Sequence, residues 1–304
     1  MASRATSLQP PAVAPAQTLR LPDGRTLGYA AFGAPDKPPL LYFHGWPGSR
    51  LEAGLMDQLP VRVIAPDRPG YGASSPQPGR QLLDWPRDVA ALADHLGLDR
   101  FAVLGVSGGG PYAAACAYAL PQRVVATSLL CPVPPLKNAA GQAVRLNADL
   151  ALLIRLGRHP QLARLPLQLA RRVLAAPGLL TPRFIRRWGP YSLAARDMEV
   201  LDISVITRIL ASFREGIRPG IDGPWSDAQV YARPWGFALE EVRGPLRLWH
   251  GTADTVVPVE TSAAYLAVPG LRRELVAGEG HYSLILAHGP RVIRQMTQDH
   301  NQPS

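Results

Sequence analysis

Short apolar runs alternate with longer amphipathic stretches over the first 130 residues. Leu40 to Phe43 runs into His44-Gly45, and Val61 to Ala65 into Pro66-Asp67. Phe101 to Val106 and Val124 to Leu130 are two more runs of the same kind. Runs this short, bounded by turn residues, predict buried strands. Between them, Gln81 to Leu96 carries Leu83, Val89, Leu92 and Leu96 at roughly helical spacing, and the Ala-rich 111–120 predicts a second helix. Upstream, LRLPDGRTLGYA at 19–30 reads as a hairpin around Asp23-Gly24. Strands separated by helices predict an α/β fold, with a mostly parallel sheet covered by helices on both faces.

The alternation then stops. Residues 133–220 hold helical segments at 145–157, 161–175 and Met198 to Phe213, with no strand pattern. Pro160, Pro177, Pro182, Pro190 and Pro219 punctuate them. Strand signal returns at Leu246 to Trp249 and at Arg273 to Val276, with a helix expected around 259–267 and a last one over 283–299. The expected organisation is a flexible lead-in at 1–18, a core from 19–132 and 221–304, and an inserted helical lid at 133–220. Trp188, Tyr191 and Phe213 give that lid aromatic character and suggest an apolar, medium-sized guest.

Composition narrows the class. A chain of 304 residues, 47% hydrophobic, can bury one large core with an insertion. No run of 18 apolar residues occurs, so no membrane insertion is expected. The first 18 residues lack a continuous apolar stretch, so no secretory signal is expected either. Much of the net charge of +9 lies between 155 and 218, at Arg171-Arg172, Arg183, Arg186 and Arg187 among others. Without zinc-finger spacing or interleaved aromatics, this reads as a solvated arginine face and no nucleic-acid partner is expected. Cys116 and Cys131 lack metal-ligand spacing and read as buried free thiols in a reducing, cytoplasmic setting, with a disulfide between them as the alternative. Monomer and homodimer are equally compatible with the sequence.

The candidate chemistry starts at Gly105-Val106-Ser107-Gly108-Gly109, a G-x-S-x-G motif between a strand and a helix. Such a turn exposes the serine hydroxyl, which needs a base, itself oriented by a carboxylate. HGTADTVVP at 250–258 places Asp254 on the loop after one late strand, and AGEGHYS at 277–283 places His281 after the next. Asp222 and Asp227 are weaker acids, in the return from the lid. His44 ends an early strand, His250 lies in a strand, and His288 lies in the last helix. An oxyanion needs N–H donors. Gly108, directly after the serine, supplies one. In the loop His44-Gly45-Trp46-Pro47-Gly48, Trp46 has an N–H where Pro47 has none, so Trp46 is the second expected donor. Its indole, with Tyr282, is expected to wall the substrate site, and His44 to brace the loop.

HGWPGS at 44–49, DRPGYGAS at 67–74, GVSGGG at 105–110, HGTADTVVP and GEGHYS stand in the order found in α/β-hydrolase fold serine hydrolases, which the chain resembles over nearly its whole length outside the lid. The resemblance implies eight strands, the second antiparallel, with a lid after the sixth. It places Asp67 to Ser74 in the loop after the fourth strand, where Arg68 and Tyr71 either brace the loop or line the substrate site. It implies acyl transfer from Ser107 without metal or organic cofactor, on a small-molecule ester or lactone. The HGWPG and DRPGYG loops also resemble those of epoxide hydrolases and haloalkane dehalogenases, which carry aspartate where this chain has Ser107. An amidase or proline-iminopeptidase-like enzyme would need an acidic lid cluster; Glu199, Asp202 and Glu215 are available but form no evident one. Carbon–carbon bond hydrolysis, haloperoxidase-like chemistry and a non-enzymatic ligand-binding role are the remaining alternatives.

Overall fold

The computed structural model describes residues 15–56, 60–138, 140–176, 178–188 and 193–300. Eight strands form one sheet in the order β1-β2-β4-β3-β5-β6-β7-β8. The strands β1 (Gln17–Arg20) and β2 (Thr26–Phe32) make the expected hairpin, with β1 starting two residues before the expected Leu19. β2 also runs antiparallel to β4 (Arg62–Pro66). From β4 onward β3 (Pro39–Phe43), β5 (Phe101–Val106), β6 (Val124–Leu130), β7 (Leu246–Gly251) and β8 (Arg272–Val276) pair in parallel.

Strand periodicity splits the core in two. Leu41, Phe43 and Val103 pack on one side of the sheet, with α1 (Trp85–His95) and α2 (Gly110–Ala119). Leu40, Tyr42 and Leu104 point to the other side, where α10 (Gly289–His300) covers them. The Ala-rich α2 is buried from Gly110 through Ala117. Small side chains on every face let it lie close under the sheet.

Among the described residues six α-helices stand between β6 and β7. They are α3 (Ala148–Arg158), α4 (Pro160–Ala175), α5 (Pro182–Trp188), α6 (Ala195–Val200), α7 (Ile203–Gly216) and α8 (Asp222–Tyr231). The single helix expected from Met198 to Phe213 is broken in two. The Asp202 carboxylate accepts the Val205 N–H at 2.8 Å and so starts α7 afresh. The helix expected at 259–267 has the right span but winds as a 3-10 helix. The last helix starts earlier than expected. It begins with α9 (His281–Ser283), passes through one π-helical stretch (Leu284–His288) and continues as α10. Tyr191, expected in the lid, lies outside the described residues.

The insertion is locked onto the sheet through α7. Ser49 N–H donates to Ser212 Oγ at 2.9 Å, and Arg50 pairs with Glu215 at 2.7 Å. A Cβ on Gly216 would collide with the carbonyl of Gly48, so the helix backbone lies directly on the 44–49 loop.

Candidate active site

Ser107 sits at the end of β5 with φ of 51°, a left-handed conformation that a serine adopts only under constraint. Glycines supply the room for it. A Cβ on Gly105 would lie 2.5 Å from the Gly109 carbonyl, and one on Gly109 would strike the Phe43 carbonyl of β3. The Ser107 carbonyl accepts the Val133 N–H at 3.0 Å. In a trans peptide the N–H points opposite to the C=O, so this bond turns the Gly108 N–H away from Val133. A Cβ on Gly108 would stand 3.1 Å from the Trp46 nitrogen, so the two expected oxyanion donors adjoin. The Trp46 indole donates to the Pro224 carbonyl of α8 at 3.1 Å, which fixes the ring as one wall of a cavity.

Ser107, His281, Tyr282 and Trp46 line that cavity together. His281 Nδ1–H donates to Asp254 Oδ2 at 2.8 Å. Asp254 is held in turn by the N–H groups of Val256 and Val257, at 2.9 and 2.8 Å on Oδ1. Burial works against the charge on Asp254, but His281 and His250 outweigh it and hold the carboxyl well below its usual range. Burial likewise disfavours imidazolium, yet the Asp254 carboxylate holds His281 well above its ordinary value. Cys131 lies against the same histidine, donating to its backbone carbonyl at 3.8 Å. Burial pushes the Cys131 thiol up to about 11, so near pH 7 it is neutral and adds no charge to His281.

The donor atoms of Cys131, Asp254 and His281 lie within 4.8 Å of one another. With His281 Nδ1 committed to Asp254 and the thiol protonated, the trio makes a poor metal site. Both cysteines are free and buried.

Tyr71 does not wall the cavity. It is fully buried, its hydroxyl donates to Asp227 Oδ2 at 2.7 Å, and its ring packs edge-on against His44. Its partner lies 156 residues away, so nothing local in the sequence pointed to it. Asp227 is the hub of a buried network rather than an acid for His281. It takes Arg68 at 2.7 Å, Arg80, and the hydroxyls of Tyr71, Tyr112 and Tyr231. Arg68 then donates to the carbonyls of His44 and Gly45, and Tyr231 to that of Gly108 at 2.8 Å. His44 donates from Nδ1 to the Gly45 carbonyl at 2.8 Å, and Nε2 accepts the Arg68 N–H at 3.4 Å. Burial and the Arg68 charge keep it neutral, as a brace for its own loop.

Two residues at this site carry no motif. Asp197 of α6 is fully buried; its carboxylate accepts the N–H groups of His281 at 3.1 Å and Ser283 at 2.8 Å. Glu52 lines the cavity beside Ser107. For Asp197 the one sequence signal was Gly280 at the head of the final helix, which has no side chain to cap the first turn.

The sequence profile of the alpha/beta hydrolase fold matches residues 38–287. The chain belongs to the α/β-hydrolase fold family. This α/β hydrolase is similar to the non-heme chloroperoxidase of Streptomyces lividans, 37% identical over 127 residues, which are 39% of this chain and 45% of that protein. The chain thus spans less than half the length of that curated relative. It is also similar to the bifunctional esterase/perhydrolase DCH of Acinetobacter calcoaceticus, 27% identical over 252 residues, covering 79% of this chain and 83% of that one. In structure this α/β hydrolase resembles an esterase from Exiguobacterium antarcticum, with a TM-score of 0.69 at 17% identity over 92% of this chain and 98% of that one. That likeness is one of fold. No helix among the described residues is long and apolar enough to cross a membrane.

Proposed function

We propose that the protein is a serine hydrolase that cleaves a carboxylic ester or lactone of a small to medium, largely apolar substrate. The observation that carries this reading is the Asp254–His281 pair opening into the same cavity as Ser107 on its left-handed turn. In the proposed cycle His281 takes the Ser107 proton as Oγ attacks the carbonyl carbon. The oxyanion forms against the N–H groups of Trp46 and Gly108. His281 then protonates the leaving alcohol, and water releases the acid by the same route. Asp254 holds the imidazole tautomer. Each step is carried by protein groups and water.

Leu55, Ile209, Phe213 and Leu286 give the cavity apolar walls, which supports an apolar acyl or alcohol group. Residues 133–220 serve as the lid in this reading. Free buried thiols at Cys116 and Cys131 fit a cytoplasmic setting. The amidase reading loses its acidic lid cluster. Glu199 pairs with Arg196, Asp202 caps α7, and Glu215 is shared by Arg50 and Arg218. Similarity to an esterase/perhydrolase favours one second reading, in which hydrogen peroxide replaces water in releasing the acyl group as a peracid.

A fluorophosphonate probe and a panel of p-nitrophenyl esters test the proposal. The wild-type protein is expected to label and to turn over short-chain esters. Ser107→Ala is expected to do neither while keeping its circular dichroism spectrum. Esterase activity retained in S107A would overturn the assignment. Peracid formed on adding peroxide would support the second reading.

A further inference from the structure

Glu52 lies in the 3-10 turn Arg50–Met56 that follows the Trp46 loop, and it lines the Ser107 cavity. Its two oxygens have different surroundings. Oε1 accepts the Gly45 N–H at 3.0 Å and the Tyr42 hydroxyl at 2.8 Å. Among the described residues Oε2 accepts no hydrogen bond. A Cβ on Gly48 would lie 2.5 Å from Oε2, so the glycine leaves the space this oxygen occupies. A Cβ on Gly45 would lie 3.5 Å from Oε2 and 3.6 Å from the Ser107 Cβ. The free oxygen and the nucleophile therefore flank one point. Burial raises the Glu52 carboxyl above its usual range, as expected for an acid in a largely apolar cavity. Bracing the Gly45 loop uses only Oε1, and a glutamine would do it equally well. The second oxygen is the part that a structural role leaves unexplained.

We infer that Glu52 is a specificity-determining residue whose Oε2 accepts a hydrogen bond from a hydroxyl or ammonium group on the acyl chain of the substrate. The inference rests on the serine-hydrolase reading above and narrows it to hydroxyacyl or aminoacyl esters. A plain alkyl chain satisfies the walls at Leu55, Ile209 and Phe213, but it desolvates Oε2 without giving it a partner. A site built to bond a polar group discriminates strongly against the analogue that lacks it. The carboxylate comes from the core beside the oxyanion loop, and Glu199, Asp202 and Glu215 of the lid are not among the described residues that line the cavity.

The test compares kcat/KM for phenyl butyrate, phenyl 3-hydroxybutyrate and phenyl 3-aminobutyrate in the wild-type protein and in Glu52→Gln. The wild type is expected to favour the two donor-bearing esters at least tenfold over the plain one. In E52Q the amide oxygen can keep Gly45 and Tyr42 while its NH2 faces the cavity. The ammonium-to-plain ratio should then fall at least tenfold. The hydroxyl-to-plain ratio should fall less, because a hydroxyl can accept from the amide. Equal wild-type rates on the three esters overturn the inference. So does a parallel loss on all three in E52Q, which is what a mere loop brace gives. Failure of the wild type to hydrolyse any of them overturns the serine-hydrolase reading itself and this inference with it. If E52Q does not fold, inhibition of the wild type decides: propylammonium and propanol both binding more tightly than ethyl methyl ether, which is of the same size and has no donor, supports the inference, and equal inhibition by all three overturns it.

Discussion

At the scale of single residues, the site depends on the charge that Asp254 places beside His281. The imidazole must be neutral to accept the serine proton, and Asp254 holds its pKa above the ordinary value. Activity should therefore rise with pH through an inflection in kcat/KM above the usual histidine value of about 6.5. Asp254→Asn removes the charge that raises the pKa, so the inflection should move to lower pH. The wrong tautomer should also cut kcat by about 10⁴-fold. A pH profile of p-nitrophenyl ester hydrolysis checks both effects. That Ser107, His281 and Trp46 would meet at one cavity, with Asp254 on His281, was legible in the sequence because each is set by turn chemistry within a few residues of its own position. Of the two roles open to Tyr71, bracing is the one its geometry fits, since its hydroxyl is spent on Asp227. Glu52 and Asp197 were missed because their partners are backbone N–H groups brought to them by the fold.

At the scale of elements, the early strands and helices were legible from periodicity, and the insertion was legible as a stretch without strand pattern. The boundaries that failed were set by single side chains. Asp202 restarts α7. Asp197, far away in sequence, caps α9 and so lets helical structure begin at His281 itself. That cap ties the insertion to the element that carries the histidine. Asp197→Ala should leave two buried N–H groups unpaired and cost about 3–6 kcal/mol, from two charge-assisted bonds. Urea unfolding reads that loss. The rate of fluorophosphonate labelling should drop in the same variant, since His281 is no longer held from behind. Asp197→Ser, which keeps one acceptor, should recover part of both.

At the scale of the molecule, Asp227 joins pieces that the chain makes far apart. Through Arg68 and Arg80, and through three tyrosines, it fastens the loop after β3, the segment after β4, α2 and α8 into one buried unit. Burial disfavours its charge, but the two arginines prevail and hold the carboxyl well below its usual range. Asp227→Ala would strand two buried guanidinium groups, and a loss of about 3–5 kcal/mol is expected, read from the urea midpoint at neutral pH. The depressed carboxyl also sets the sign with pH. Its stabilisation is complete above the ordinary carboxylate range and is lost as pH falls through the lower value it has in the fold.

The seating of α7 on the 44–49 loop has a consequence for how new specificities can arise. Gly216 meets the Gly48 carbonyl with no side chain between them, and Ser212 is bonded to Ser49. Roof and floor of the cavity are therefore cut to one another's shape. An insertion transplanted from another hydrolase would arrive without its landing surface unless the loop were exchanged with it. Substrate range is expected to shift by single replacements at Ile209 or Phe213, which line the cavity from α7, far more readily than by exchange of the whole insertion.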